Sequence, residues 1–297
     1  MKSIEFKADI LMLIAAIIWG FAFVFQKAGM ETMGPHLFNG VRFIIGSFAL
    51  LPVIWYFSRK SNINIKPKSS NAKLIISGVV AGLFLFAGMT FQQVGLLGTT
   101  AGKAGFITGM YVFFVPLIAL FLGQKTKLGT WVGAFIAVIG LYLLSIKSDF
   151  SLSMGDSLIL MCAIFFAGHV LVIGYLAKKV DVLKLSLIQY ITTGVLSLTV
   201  ALFTETITIQ SISQTIIPLL YAGVMSTAVG YTLQVVAQQH AHSSHAAIIL
   251  SLEGAFAVLG GWLLLNEQLP LKGFIGCALM LLGMLISQLA PKQSKSL

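Results

Sequence analysis

A chain of 297 residues with 58% hydrophobic and only 9% charged side chains cannot solvate the surface of a soluble protein, which draws on about a quarter charged residues. Its mean hydropathy of +0.96 places most of the exterior in lipid, where every backbone group must find its partner inside a helix or a closed barrel. The net charge of +10 would ordinarily point to a polyanionic partner, but its distribution along the chain argues against nucleic acid and reads as a topology signal.

The apolar runs last about 20 residues, the length a helix needs to cross hydrocarbon, rather than the alternating segments of about ten that build barrels. In chain order they fall near 8–27, 37–57, 73–97, 104–122, 128–146, 156–176, 184–203, 214–238, 245–265 and 270–290. The first follows Lys2 and Lys7 and superficially resembles a secretory leader, but it is too long, lacks an A-x-A exit and runs on into a second span. It reads as a retained helix. Connections are short; the longest, about 58–72, is polar and basic.

With the N-terminus inside and ten alternating spans, fourteen of the nineteen Lys and Arg residues fall on the inner side. Four fall outside (Lys27, Lys103, Lys147 and Lys272), and Arg42 lies within a span. That asymmetry predicts a multi-pass protein of the cell (inner) membrane with both termini cytoplasmic.

A repeat runs beneath the spans. Asp9 opens DILMLIAAIIWGFAFV, and 147 residues later Asp156 opens DSLILMCAIFFAGHVL. The same offset pairs Arg42-Phe43 with Gln189-Tyr190; an offset of 141 pairs Gln93 with Gln234, and one of 143 pairs Gln124 with Glu267, Gly133 with Gly276 and Gly140 with Gly283. Five spans per half is an odd number, so the halves enter the membrane in opposite senses. The expected fold is therefore an all-α integral membrane protein: ten transmembrane helices as two inverted five-helix repeats, 1–148 and 149–297.

Several polar side chains sit where lipid would penalise them. In the first span, Trp19, Phe23 and Gln26 share a face and read either as packing or as cavity wall. Arg42, about one turn into the second span, either snorkels outward or faces inward toward a carboxylate or phosphate; Asn39 and Gly46 share its face. The third span offers Phe86, Thr90 and Gln93, with Gln92 beside them, and the fourth offers Thr108 and Tyr111. In the sixth, His169 stands among apolar neighbours, as a hydrogen-bonded packing residue or a proton or ligand group. Gln189 and Tyr190 mark the seventh.

The eighth span carries a stripe of Thr227, Tyr231, Gln234 and Gln238 at steps of four, three and four, which must look into protein or water. His240, His242 and His245 lack helical i, i+4 spacing and nearby acids or cysteines, so they read as an interfacial turn, and no metal site is expected. Glu253, about eight residues into the ninth span, lies near the bilayer centre. It is either a substrate-amine or proton site or a hydrogen-bonded pin between helices. Gly105 and Gly109 permit close helix contact in the fourth span, where Pro116 is the expected kink. Gly133 with Gly140 and Gly276 with Gly283 should let the fifth and tenth spans pack tightly, against each other or in a dimer. Cys162 and Cys277 read as packing residues.

The segments AAIIWGFAFVFQK, FITGMYVFFVPLIALFLGQ and AAIILSLEGAFAVLGGWLLLNEQL, with the spaced glycines of the fifth and tenth spans, resemble the EamA-type repeats of the drug/metabolite transporter superfamily. The resemblance covers essentially both halves. It implies ten helices, cytoplasmic termini, a central cavity and alternating access, in a group that moves amino acids, purines, vitamins, metallophores, sugar derivatives or drugs, mostly outward. Gln124 stands where the family often has glutamate, and Gly254 where it often has proline.

The sequence carries no Walker-type P-loop and no H-E-x-x-H or G-x-S-x-G constellation, which argues against an ATP-driven pump or a membrane enzyme. The expectation is a secondary transporter without cofactor, monomeric or homodimeric, embedded in lipid and acting on a small-molecule substrate. Export of amino acids or related metabolites is the first reading, with a proton as the coupling ion. Uptake or exchange of a larger metabolite such as a nucleoside derivative is the second.

Overall fold

The computed structural model describes residues 2–60, 70–123, 128–145, 153–265 and 271–289. The repeat partners Gln124 and Glu267 lie outside these residues. The first two runs form α1 (Lys2–Gly29) and α2 (Pro35–Lys60), and the third forms α3 (Asn71–Gly95), which tightens into a 3₁₀ turn at Leu96–Gly98. The fourth run is two helices, α4 (Ala101–Gly109) and α5 (Tyr111–Phe121), and the fifth is α6 (Leu128–Ser145). Next come α7 (Met154–Leu176) and α8 (Val182–Thr204), then the short α9 (Ile209–Gln214) and α10 (Ile216–Leu220). A π-helical stretch over Tyr221–Tyr231 continues α10 into α11 (Thr232–Ala237), followed by α12 (Ser243–Leu250), α13 (Glu253–Leu265) and α14 (Leu271–Leu289).

Eight of these helical stretches are long and apolar enough to cross a membrane. The fifth and tenth runs form shorter apolar helices, over Leu128–Gly140 and Phe274–Gly283, so the expected ten spans stand as eight plus two shorter ones among the described residues. The outward faces are apolar: Phe48, Trp55, Phe121, Phe135, Phe203 and Leu264 are all more than half exposed, which suits acyl chains and not water. This is a multi-pass helical membrane protein.

Polar residues gather at helix ends, where they satisfy backbone N–H groups that no turn can reach. Ser70 caps α3, Thr100 caps α4 and Asp181 caps α8. Ser153 and Asp156 form a capping box on α7. Glu205, at the end of α8, accepts from the His36 and Leu37 amides at the start of α2, each at 2.8 Å. The Lys27 ammonium in the last turn of α1 donates to the Leu96 and Thr99 carbonyls at 2.7 and 2.9 Å.

Glycines set the closest packing. A Cβ on Gly140 of α6 would lie 2.6 Å from the Gly276 carbonyl of α14, and one on Gly283 would lie 2.5 Å from the Gly133 carbonyl. The fifth and tenth runs thus pack against each other through the two glycine pairs. Gly105 of α4 likewise meets Ala257 of α13.

Three breaks in regular helix matter most. The fourth run breaks at Met110, after Gly109, rather than at Pro116, which sits inside α5. The ninth breaks at Ser251-Leu252, where the Ser251 hydroxyl donates to the Ile248 carbonyl at 2.8 Å and competes with the helical ladder. In the eighth, the Thr227 hydroxyl takes the Ala222 carbonyl five residues back at 2.8 Å, while the Trp19 indole N–H takes the Ser226 carbonyl at 3.1 Å. Both draw carbonyls away from the α register, and π-helical segments tend to gather at functional sites.

Candidate functional site

The breaks converge on one small cavity between α1, α2, α3, α5, α7, the π-helical stretch, α11, α12 and α13. One face of α1 supplies Trp19, Phe23 and Gln26, at the helical steps expected from the sequence. Trp19 packs on Tyr231 with ring centroids 4.6 Å apart, and His169 meets Tyr231 edge-on at 6.0 Å. Phe43 and Tyr190 stand behind Tyr231 at 6.1 and 6.4 Å, so a wall of aromatic rings bounds one side.

Arg42 is buried, with 1% of its surface exposed, so the snorkelling alternative fails and the side chain faces inward. The reason is local. The Gln26 side-chain carbonyl accepts from Nη1 at 2.8 Å, the Met89 sulfur accepts from Nη2 at 3.2 Å, and the Phe43 ring lies 5.0 Å from the guanidinium carbon. Nε has no partner. A thioether is a weak acceptor for a guanidinium, so one edge of the fork is held by a placeholder. Met89 also accepts from the Tyr231 hydroxyl at 3.7 Å.

Glu253 is the first residue of α13 and is 4% exposed. Its carboxylate lies beside the hydroxyl of Tyr111, the first residue of α5, which lacks a well-formed hydrogen bond. Arg42 and Glu253 line the same cavity yet pair neither with each other nor with another charged group among the described residues.

Of the eleven side chains singled out from sequence, Trp19, Gln26, Arg42, Tyr111, His169, Tyr231, Gln234 and Glu253 line the cavity. Three do not. Thr227 turns to Gly46 of α2 and bonds within its own helix. Gln93 lies one step of rotation away and points its amide toward the Gln26 carbonyl at 3.4 Å. The third-span face that reaches the cavity is Met89 and Gln92, not Phe86, Thr90 and Gln93. Gln189 stands behind the lining, its side-chain oxygen 2.9 Å from His169 Nε2.

Sequence reasoning missed Ala22, Met89, Phe166, Val170, Ser226 and Leu250. Apolar and small residues on buried helices carry no signal that separates a cavity wall from core. In the histidine stretch, His240 and His242 lie in the turn before α12, as expected. His245 belongs to α12 rather than to a turn, and its Nε2 lies 3.0 Å from Asp9 Oδ1 of α1. No cluster of three metal-ligating side chains occurs among the described residues.

Apolar outer faces, discontinuous helices and a buried polar cavity define a membrane transporter. The EamA-like transporter family matches twice, over residues 6–146 and 153–288, and the chain belongs to that family. An uncharacterised transporter of Archaeoglobus fulgidus is 34% identical, over 95% of this chain and 86% of its own length. A probable amino-acid metabolite efflux pump of Escherichia coli (strain K12) is 23% identical, over 95% and 94%. A solved crystal structure superposes with a TM-score of 0.76 at 15% identity, covering 95% of this chain and 97% of that one, which shows a shared fold.

Proposed function

We propose that this transporter exports amino acids or closely related metabolites across the cytoplasmic membrane by alternating access, with Arg42 and Glu253 as the poles of its binding site. The observation that carries the reading is the pair of buried, opposite, unpaired ionisable groups on one cavity. A buried charge without a counter-ion is costly, and at membrane depth it is tolerated mainly where it serves a ligand or an ion path. A zwitterion offers a partner to each group at once. Its carboxylate would displace the Met89 sulfur from the guanidinium fork, a geometry that planar Arg favours. Its amine would meet Glu253, with Tyr111 alongside. The Trp19–Tyr231 wall would take the apolar part of the solute.

The same arrangement supports proton coupling. When the solute leaves, Glu253 can take up a proton in place of the amine, so the empty carrier returns without an uncompensated buried carboxylate. Two matches to one family model, and repeat-related breaks at Met110 and Ser251, support two inverted halves divided near residue 148. The excess of Lys and Arg in alternate loops supports cytoplasmic termini and an inner-membrane location. The name of the E. coli relative supports outward transport of amino-acid metabolites.

Purified protein in proteoliposomes, assayed by counterflow against a metabolite panel with and without a pH gradient, tests this. Saturable flux of amino acids that a pH gradient accelerates is the expected result. Preference for a nucleoside derivative would select the larger-metabolite reading, and no saturable flux of any solute would remove the transport assignment for this cavity.

A further inference from the structure

Outside the cavity, four ionisable side chains form two bridges that occupy matching places in the two halves. Lys103 Nζ lies 2.6 Å from Asp156 Oδ2. His245 Nε2 lies 3.0 Å from Asp9 Oδ1. Lys103 is the third residue of α4 and His245 the third of α12. Each stands eight residues before the side chain that opens the next half-helix at the cavity, Tyr111 in one case and Glu253 in the other. Their acidic partners are themselves related, Asp9 in the first span and Asp156 in the sixth, 147 residues apart. Each bridge joins a helix of the first family match to a helix of the second.

The bridges lie at opposite ends of the bundle. Lys27, in the last turn of α1, donates to the Leu96 and Thr99 carbonyls, and the Thr99 hydroxyl donates to Asp156 Oδ1 at 2.8 Å. The Lys103–Asp156 bridge therefore sits at the far end of α1 from Asp9. Lys27 and Asp9 are eighteen residues apart, about 27 Å along the helix axis. That separation is close to the thickness of the hydrocarbon layer. Both bridges are formed here, and between them Arg42 and Glu253 are buried.

We propose that Lys103–Asp156 and Asp9–His245 are the two latches of the transport cycle, released in alternation: parting of the first opens the cavity on the Lys103 side, and parting of the second opens it on the Asp9 side. Each latch holds the outer end of a half-helix whose inner end adjoins the cavity, so release lets that half-helix swing while the opposite one stays fixed. The exchange of one latch for the other is what two similar halves require to interconvert. This inference rests on the alternating-access reading.

The test is sided accessibility. Ser226 lines the cavity, so Ser226→Cys, with Cys162 and Cys277 changed to serine, gives a reporter for a membrane-impermeant maleimide in vesicles of either orientation. Lys103→Gln keeps the Ser153–Asp156 capping box and removes the bridge. It is expected to raise labelling from the Lys103 side about fivefold and lower it from the other, the shift that loss of a partly exposed ion pair supplies. His245→Gln is expected to do the reverse, and Lys103→Arg and His245→Lys to restore the parent pattern. If Lys103→Gln does not accumulate, Thr99→Val removes one donor to Asp156 and must shift labelling the same way. Changes of the same sign from both sides, or none, in variants that fold as the parent does would overturn the latches. Labelling needs no substrate, so the two failures separate. A parent reached from one side only would count against alternating access, while two-sided access that the variants leave unmoved would overturn the latches alone.

Discussion

The fourth and ninth spans are built alike and equipped differently. Each breaks midway, each begins its second half-helix at the cavity, and the first side chain of that half-helix is Tyr111 in one and Glu253 in the other. The second spans are unequal in the opposite sense: Arg42 occupies the cavity, while its counterpart 147 residues on, Gln189, is neutral and stands behind His169. Each half thus supplies one ionisable group where the other places a neutral polar one. The two halves share a scaffold and divide the charges between them, so the cavity has two poles rather than a doubled site. An asymmetric ligand such as a zwitterion fits that division.

The largest expected effect is at the negative pole. Glu253→Gln should lower flux at least about tenfold and abolish its acceleration by a pH gradient, in proteoliposome assays, with the thermal midpoint little changed. Equal loss of folded protein and flux would instead make Glu253 a pin between helices. At the positive pole, Arg42→Gln should raise the apparent KM for carboxylate-bearing solutes about tenfold, with Arg42→Lys in between because an ammonium lacks the fork. Gln189→Ala should leave KM within about twofold, and a change as large as that of Arg42→Gln would erase the contrast between the matched positions.

A smaller effect is expected along the eighth span. Tyr231→Ala and Gln234→Ala should weaken solute binding about fivefold, measured by solute-dependent thermal shift, while Val224→Ala and Met225→Ala on the exposed face should not. Smallest of all, Tyr111→Phe should reduce flux only about two- to threefold, since it removes a neighbour of Glu253 and not a charge. A larger loss than that from Glu253→Gln would reverse the assignment of roles.

Much of this was legible in the sequence, because lipid enforces a simple rule on helix surfaces. Apolar runs marked the spans, and the few polar residues within them had to face inward, which placed Trp19, Gln26, Tyr231, Gln234 and Glu253 on the cavity. The glycine pairs of the fifth and tenth runs met as their spacing suggested. What escaped was decided by tertiary contact. One helical residue is 100° of rotation, and that step turned Gln93 away and brought Met89 and Gln92 in. The depth of Arg42 depended on Gln26 and Met89 from two other helices. The break at Ser251 hinges on its hydroxyl competing for the Ile248 carbonyl, and the break at Met110 on a tightened backbone bond to the Ile107 carbonyl at 3.1 Å, neither of which composition reveals.

The two-pole site is tested most directly by the thermal stability of the purified protein in the presence of an amino acid, its methyl ester and its N-acetyl derivative. The amino acid should raise the midpoint, while the ester, which lacks the carboxylate for Arg42, and the acetylated form, which lacks the amine for Glu253, should each fail to do so. Equal stabilisation by all three would contradict the site.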